Sequence, residues 1–352
     1  MFSRPTVFVV GAGASYELGF PLGDDLKENI SSSLNILFEN GHHQSSGDIQ
    51  IAEILRRIAA EQGSANWTHL LTKAWQIRDA LPGALSIDNV LDAHNSDPDL
   101  VLCGKLAICK SILTAERSSK LFGERELHRS TIFQKIAGSY LIPLFQMFTE
   151  NVPKEAVSDN LHSVSTISFN YDRSIERFLP EALSTYYGFE LDEAASLAHS
   201  LEIIHPYGTV GDLEFGGDAH VPFGAEQVDL RASASRIRTF TEGIADRRLQ
   251  ADLYSAYYGA ETVVFLGFAF HPLNLRLLSS NASSDARQIV GTTYGLADAA
   301  KSVAEDLILQ SLSKSEFSPL LHSEFDRDTV DRIDLENETA VNLLQAYFRA
   351  IV

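Results

Sequence analysis

The sequence is poor in cysteine and in basic residues. Its 352 residues include only two cysteines, Cys103 and Cys109, which excludes a disulfide framework and a cysteine-rich metal site. Lysine and arginine together number 28, against 47 aspartates and glutamates, so the formal net charge is −19. This excess of negative charge argues against direct binding to nucleic acids or to anionic membranes, both of which need a cationic surface.

Long hydrophobic runs are also missing. No apolar segment reaches the length of a membrane span, and the first one, Val7 to Val10, is far shorter than the hydrophobic region of a secretory signal. We therefore expect a cytoplasmic protein with no membrane association. Hydrophobic residues make up 45% of the chain and charged residues 21%, which is typical of a globular protein with a large core.

The N-terminal segment combines a strand pattern with glycines. Residues 7–10 read Val-Phe-Val-Val, which is typical of a buried parallel strand. Gly11 and Gly13 follow directly, where a tight turn close to a ligand needs residues without Cβ. Outward-facing amides in such a turn predict a phosphate-binding loop, although an ordinary tight turn fits the same residues. The spacing Gly-x-Gly-x-Ser lacks the third glycine of the dinucleotide fingerprint, so a standard dehydrogenase is not implied.

Residues 41–150 read as an all-helical insertion. Apolar spacing predicts helices over residues 49–80, from Pro98 to about Glu116, and from Thr131 to Phe148 with a kink or break at Pro143. The adjacent His42 and His43 lie in a polar loop without acidic or cysteine partners. We therefore expect no metal site there.

Strand patterns return after the insertion and alternate with helical ones. The predicted strands cover residues 164–169, 201–204, 262–266 and 288–292, and the predicted helices cover 173–179, 190–199, 244–258, 273–279 and 296–312. This alternation predicts an α/β fold with a mainly parallel sheet and helices on both faces. Residues 1–40 and 151–320 would form this discontinuous domain, and 321–352 an exposed acidic segment followed by a docked C-terminal helix.

Polar residues stand at the predicted carboxyl ends of the strands, where ligands bind in such sheets. They are the segment Gly11 to Ser15, Asn170 with Asp172, His205, and Gly267 with its neighbours. An amide, a carboxylate and an imidazole beside a glycine loop predict a ligand site. Each residue also fits a structural role, since Asn170 and Asp172 suit the cap of a following helix and His205 suits an ordinary strand end.

Four motifs occur in order over about residues 5 to 295. They are Gly11-Ala12-Gly13-Ala14-Ser15 with Gly19-Phe20-Pro21, Ser168-Phe169-Asn170-Tyr171-Asp172, His205-Pro206-Tyr207-Gly208, and Phe265-Leu266-Gly267-Phe268-Ala269-Phe270-His271-Pro272-Leu273-Asn274. Together they resemble bacterial sirtuin-like proteins of the NAD-consuming, anti-phage-defence type. The resemblance implies a Rossmann-like sheet that holds NAD as a substrate, with no metal.

The same resemblance implies roles for individual residues. The cofactor-binding residues would be Gly11, Ala12, Gly13, Ser15, Pro21, Gly267, Phe268, His271 and Asn274. Asn170 matches the asparagine that positions water or the nicotinamide-side ribose, Asp172 the carboxylate beside it, and His205 the histidine that acts as a base on the ribose. Phe169 replaces the family's glutamine, which argues against deacetylase-type peptide chemistry. The family's usual His-Gly pair is lengthened here to His205-Pro206-Tyr207-Gly208. This difference leaves open where the ring of His205 points.

The expected function is hydrolysis of NAD to nicotinamide and ADP-ribose, as an effector of anti-phage defence. The alternatives are a non-catalytic sensor of NAD or ADP-ribose and a sirtuin-type deacylase or ADP-ribosyltransferase. Cleavage passes through an oxocarbenium-like transition state and needs oriented water, a carboxylate or amide dipole, and a base with a pKa near 7. His205 follows a strand directly and is the expected base, whereas His271 suits a cap or an adenosine contact. An unrestrained NAD hydrolase would harm its host, so we expect a homo-oligomer or a regulatory protein partner, contacted through the helical insertion.

Overall fold

A six-stranded parallel sheet is the main element of the computed structural model, which describes residues 2–40, 43–123, 132–213, 219–280, 282–313 and 330–352. The strands in this part of the chain are β1 (Thr6–Val10), β2 (Leu37–Glu39), β3 (His43–Ser46), β4 (Val164–Ser168), β5 (Glu202–Ile204), β6 (Thr262–Leu266), β7 (Gln288–Thr292) and β8 (Arg332–Glu336). The sheet has the order β5-β4-β1-β6-β7-β8, and every neighbouring pair is parallel. Strands β2 and β3 form a separate antiparallel hairpin.

This strand order is that of the Rossmann fold. Counted along the chain, the six sheet strands lie in the order 3-2-1-4-5-6, and the direction of winding reverses between β1 and β6. Val10 pairs with Ser168 on one side and with Leu266 on the other. The residues that follow these three strands therefore meet at one edge of the sheet, at its switch point. The predicted α/β fold with a mainly parallel sheet is confirmed.

The central strands form because their residues are apolar or β-branched and are covered on both faces. Every residue of β1, β6 and β7 is buried, as expected for parallel strands between two layers of helices. The helices in the described residues are α1 (Ala12–Tyr16), α2 (Gly23–Leu34), α3 (Ile49–Glu61), α4 (Thr68–Ala80), α5 (Ile87–Ala93), α6 (Pro98–Ser118), α7 (Ile132–Lys135), α8 (Leu141–Thr149), α9 (Val157–His162), α10 (Ser174–Tyr187), α11 (Leu191–Ala198), α12 (Leu230–Arg236), α13 (Phe240–Ala245), α14 (Arg247–Tyr258), α15 (Pro272–Leu278), α16 (Asp298–Ser311) and α17 (Ala340–Ile351).

Several predicted elements have different bounds in the structure. The helix expected over residues 49–80 is two helices, α3 and α4. The break expected near Pro143 occurs between α7 and α8, and Pro143 lies in the first turn of α8, where its missing amide hydrogen costs no helical hydrogen bond. Part of the polar loop expected around His42 and His43 forms strand β3, which includes His43 and pairs with β2. His42 lies outside the described residues.

The C-terminal segment also differs from its prediction. Arg332–Glu336, expected to be an exposed acidic tail, forms β8 at the edge of the sheet beside β7. The alternation of charged and apolar residues there suits an edge strand, because only one residue in two faces the core, and Leu335 is buried. Residues 321–329 lie outside the described residues. The docked final helix is confirmed as α17, which buries Leu343 and Leu344.

Packing divides the chain into two compact units. Unit 1 consists of Met1–Phe20, Ser119–Pro206 and Gly243–Val352, and it contains the six-stranded sheet. Unit 2 consists of Pro21–Ser118 and Tyr207–Glu242, and it contains the hairpin and the long helix α6, which packs against α2, α4 and α12.

These boundaries differ from the predicted ones at residues 40 and 150. Residues 21–40 belong to unit 2 because α2 packs on α4 and α6. Residues 119–150 belong to unit 1 because α8 packs on α10 and α17. A membrane-spanning helix is not found in the described part of the chain, where no helix is both long and apolar enough.

Candidate functional site

The loops after β1 and β6 are in direct backbone contact at the switch point. The Gly11 amide donates a hydrogen bond to the Leu266 carbonyl over 2.9 Å, and the Gly13 amide donates to the Gly267 carbonyl over 3.0 Å. A Cβ on Gly11 would lie 2.6 Å from the Gly267 oxygen, and one on Gly267 would lie 2.0 Å from the Ala14 nitrogen. Side chains at these positions would therefore separate the two loops.

This close contact explains why the first motif has glycines at positions 11 and 13, since a Cβ at either position would overlap with Gly267. The amides of Gly11 and Gly13 already have acceptors within the protein, so they are not the donors that a phosphate-binding loop would offer. The Ala12 amide is the first of α1 and has no acceptor within the helix. Phosphate binding by this loop stays a prediction.

Three of the predicted site residues lie together in a buried polar cluster beside this loop. The Asn170 side-chain amide donates to the Ser15 hydroxyl over 2.9 Å, and Ser15 also hydrogen-bonds to the Asp172 carboxylate. Ser15 is 1% exposed, Asn170 8% and Asp172 5%. Ser15 follows β1, and the other two residues follow β4. The sheet therefore brings an amide, a hydroxyl and a carboxylate from two chain segments to one point.

The Asp172 carboxylate also binds the start of the helix that follows it, two residues before the helix begins. Its Oδ1 accepts the Ser174 amide over 3.1 Å, and the Ser174 hydroxyl binds the same carboxylate. Burial raises the pKa of Asp172, and the hydrogen bonds from Ser174 and Ser15 offset part of that rise. The phenol of the buried Tyr140 lies 3.4 Å from the Ser174 hydroxyl. The capping role that the sequence left open for Asp172 is thus present together with the cluster.

His205 has a hydrogen-bond partner on each ring nitrogen. Its Nδ1 lies 3.0 Å from the Asn170 carbonyl oxygen, and its Nε2 lies 2.7 Å from Oε1 of Glu176 on α10. The His205 side chain is 11% exposed and that of Glu176 28%. The ring is therefore held at both nitrogens by acceptors within unit 1.

The charges around His205 favour a protonated ring and an ionised carboxylate. Burial acts to lower the pKa of His205, but the Glu176 carboxylate, the Asn170 carbonyl and the Asp172 charge outweigh it, and the pKa is raised. Burial acts to raise the pKa of Glu176, but the charges of His205 and Arg173 hold it below its ordinary value. Arg173 is itself fully buried. A ring that carries both protons can accept a further one only after giving one to Glu176.

His271 is the cap of a helix, as the sequence suggested. Its Nδ1 accepts the Leu273 amide over 3.2 Å at the start of α15. Since Nδ1 is an acceptor, a neutral ring carries its proton on Nε2, and burial lowers the pKa of His271. The Nε2 atom is buried and has no hydrogen-bond partner among the described residues. This unused N–H group is the feature of His271 that a ligand would satisfy.

The side chain of Phe268 belongs to an aromatic cluster. Its ring centroid lies 5.2 Å from that of Phe169 and 5.4 Å from that of Phe270, and all three residues are buried. A ligand contact at Phe268 would therefore use the backbone. Asn274 lies on α15, where its backbone N–H donates a hydrogen bond to the His271 carbonyl over 3.0 Å. Pro21, also predicted to contact the cofactor, belongs to unit 2.

Sequence reasoning missed four residues around the cluster and His205. They are Tyr140, Arg173, Ser174 and Glu176. Glu176 stands four residues after Asp172 at the start of a predicted helix, and this spacing would have placed it near the same strand end. Tyr140 was assigned to the apolar face of a helix, and nothing in its surroundings in the sequence indicates a polar contact.

A metal does not explain this arrangement. In the described ranges, no three His, Cys, Asp or Glu side chains are grouped so that they could hold an ion. The site is thus built from one amide, two carboxylates, hydroxyls and an imidazole. A scan against protein-family models and a search of curated proteins find no match to this chain.

Proposed function

We propose that the protein binds NAD at the carboxyl edge of its parallel sheet and hydrolyses the bond between ribose and nicotinamide. The observation that carries the proposal is the buried cluster of Ser15, Asn170 and Asp172 at the switch point. Dinucleotides bind across this crevice in sheets of the same strand order. The four motifs that resemble sirtuin-like proteins supply most of the residues around it.

The residues of the cluster fit the chemistry of the cleavage. Nicotinamide leaves as the ribose gains oxocarbenium character, water adds to the anomeric carbon, and one proton is released. A carboxylate such as Asp172 stabilises the positive charge on the ribose, and an amide such as Asn170 orients the water. His205 acts as the base only with transfer of a proton to Glu176, because both of its nitrogens have acceptors.

An effector role in anti-phage defence is part of the proposal, on the strength of the sequence resemblance. A deacylase is less well supported, since Phe169, which stands in place of the family's glutamine, is packed into the aromatic cluster. That position has no polar group to offer a peptide substrate.

A non-catalytic sensor of NAD or ADP-ribose is the second candidate. One observation favours it: the Asn170 amide and both nitrogens of His205 are hydrogen-bonded within the protein. A site whose polar groups are already paired suits binding without turnover as well as it suits a preorganised enzyme.

The experiment is to incubate the purified protein with NAD and to measure both nicotinamide release and NAD binding. We expect release by the wild type and a loss of about a hundredfold or more in Asn170→Ala, the scale of removing one oriented donor. Asn342→Ala is the matched control, because it removes an exposed asparagine hydrogen bond of unit 1. Its release should be unchanged.

The assay is run over a range of protein concentrations, since a homo-oligomer is one of the two expected means of control. NAD that is bound tightly but stays intact at every concentration would support the sensor. Absence of both binding and release would refute both candidates.

A further inference from the structure

We propose that Glu176 is a positioning residue of this site, which holds His205 as an imidazolium that in turn fixes the main-chain carbonyl of Asn170. The effect on turnover rests on the proposed function. The effect on His205 does not depend on that function, so the two are tested separately.

The contacts form a continuous chain across three elements. Glu176 on α10 binds His205 Nε2 over 2.7 Å. His205, which follows β5, binds the Asn170 carbonyl through Nδ1 over 3.0 Å. Asn170, which follows β4, donates its side-chain amide to Ser15 over 2.9 Å. Glu176 is therefore linked to Ser15, which follows β1, through His205 and Asn170.

The partners of the ring determine its protonation. A carbonyl oxygen only accepts hydrogen bonds, so Nδ1 of His205 must carry a proton to bind Asn170. An ionised carboxylate also only accepts, so Nε2 must carry one to bind Glu176. Two donating nitrogens make an imidazolium. The structure thus assigns His205 a fixed positive charge in place of the free lone pair that a general base needs.

The consequence for Asn170 is that it is held at both ends. His205 fixes its main-chain carbonyl, and Ser15 fixes its side-chain amide. Loss of the first contact frees the peptide group after Asn170 to rotate and moves the amide away from its position. A displacement of about 1 Å in a positioning group costs roughly a hundredfold in rate.

Three other groups act on the pair. Asp172 adds negative charge near His205, Arg173 adds positive charge near Glu176, and the buried phenol of Tyr140 lies close to both carboxylates. Glu176 is the largest of the influences that keep His205 charged, and burial of the ring is the main influence against it. Without Glu176, burial prevails and the ring becomes neutral.

The first experiment is a nitrogen-15 NMR titration of the histidine rings, with the His205 signals assigned from a His205→Gln sample. We expect the wild-type ring to stay an imidazolium above pH 6.5, the ordinary pKa of histidine, and the ring of Glu176→Gln to be neutral at the same pH. Glu181→Gln is the matched control, because Glu181 lies on the same helix and pairs with Arg177 instead. A wild-type ring that is neutral at pH 6.5 would overturn the proposal without any variant.

The second experiment measures nicotinamide release. We expect Glu176→Gln to lower kcat by about a hundredfold with little change in KM. If Glu176 acts through His205, the double variant Glu176→Gln/His205→Gln should be no slower than His205→Gln alone. Additive losses, or a Glu176→Gln protein that keeps a charged His205, would contradict the positioning role.

Should Glu176→Gln fail to fold, Glu176→Asp retains the charge on a shorter side chain, and its His205 should remain charged. A wild-type protein that releases no nicotinamide would reject the proposed function, whereas the titration would still decide whether Glu176 holds His205 as an imidazolium.

Discussion

The Ser15 hydroxyl accepts a hydrogen bond from the Asn170 amide over 2.9 Å, although 155 positions separate the two residues in the chain. Both are buried, and each follows a strand of the sheet. Because β1 and β4 are neighbours in register, the loops that follow them meet without any long side chain to span the gap. The contact therefore reports directly on whether the edge of the sheet is correctly assembled.

Replacing Ser15 with alanine should lower both stability and turnover. The Asn170 amide and the Asp172 carboxylate would each lose a buried partner, so we expect the free energy of unfolding to fall by about 1–3 kcal/mol. Urea unfolding measures this change. The control is Ser302→Ala, an exposed serine of α16, which should change stability by less than about 0.5 kcal/mol. Equal effects of the two variants would show that the buried contact is not stabilising.

Gly267 should not tolerate a side chain. Its φ is +57°, and a Cβ would lie 2.0 Å from the Ala14 nitrogen. Gly295 has a similar φ of +76° but open space around it. We expect Gly295→Ala to cost about 1 kcal/mol from backbone strain alone. Gly267→Ala should cost about 3 kcal/mol or more, since strain and overlap add. Similar melting temperatures for the two variants would mean that the loops after β1 and β6 separate easily.

The Glu176–His205 pair should make stability depend on pH in a defined window. The folded pKa of His205 lies above its ordinary 6.5, so its contribution is complete below 6.5 and is lost as the pH rises through the folded value. The folded pKa of Glu176 lies below its ordinary 4.5, so its contribution is complete above 4.5 and is lost as the pH falls through the folded value. The pair is therefore most stabilising between pH 4.5 and 6.5.

The measurement is the difference in free energy of unfolding between wild type and Glu176→Gln across this window and on both sides of it. Asp172 has a raised pKa and also favours folding at low pH. Taking the difference removes the part of this trend that does not depend on Glu176. A difference that stays constant with pH would contradict the ion pair.

Chelators should not change nicotinamide release or stability. Burial raises the pKa of Cys103 to about 12, so its sulfur stays a thiol, and a thiol is a poor metal ligand. Cys109 is also buried. We expect elemental analysis to find no stoichiometric zinc. One zinc per chain, or loss of activity in a chelator, would contradict this expectation.

Loss of His271 should affect NAD binding, and loss of His205 should affect turnover. His271→Ala should weaken NAD binding, because it deletes the unused N–H group at the switch point, whereas His205→Ala should lower turnover by about a hundredfold, because it releases the Asn170 carbonyl. Calorimetry and turnover at saturating NAD separate the two effects. Loss of chemistry in His271→Ala with normal turnover in His205→Ala would reverse the assignment.

The sequence predicted the sheet well because its signals are local. The apolar run at residues 7–10 and those before Asn170 and Gly267 mark buried parallel strands by composition alone, and parallel strands end at a common edge. Residues after them, such as Ser15 and Asn170, were thereby placed together correctly. Strand β8 was missed because an edge strand has few buried residues and resembles an exposed acidic segment.

Contacts between segments distant in the sequence could not be predicted. The partner of His205, which follows β5, is the carboxylate of Glu176 on helix α10. Nothing in the pattern around Glu176 indicates that it lies beside a histidine. The same holds for Gly11 and Gly13. Their spacing fits a phosphate-binding loop, but they must be small because Gly267, which is distant in the sequence, packs against them. Such pairs depend on strand order, which composition does not determine.

The strand order also decides when the site is assembled during synthesis. Strand β1 is made first, yet its two neighbours are β4 and β6, and Val10 lies beside Leu266. A nascent chain that has not reached β6 has one edge of β1 unpaired and lacks the loop that closes on Gly11 and Gly13. The ribosome therefore produces most of this chain before the switch point exists. The site therefore cannot bind a ligand during synthesis until β6 has left the exit tunnel of the ribosome.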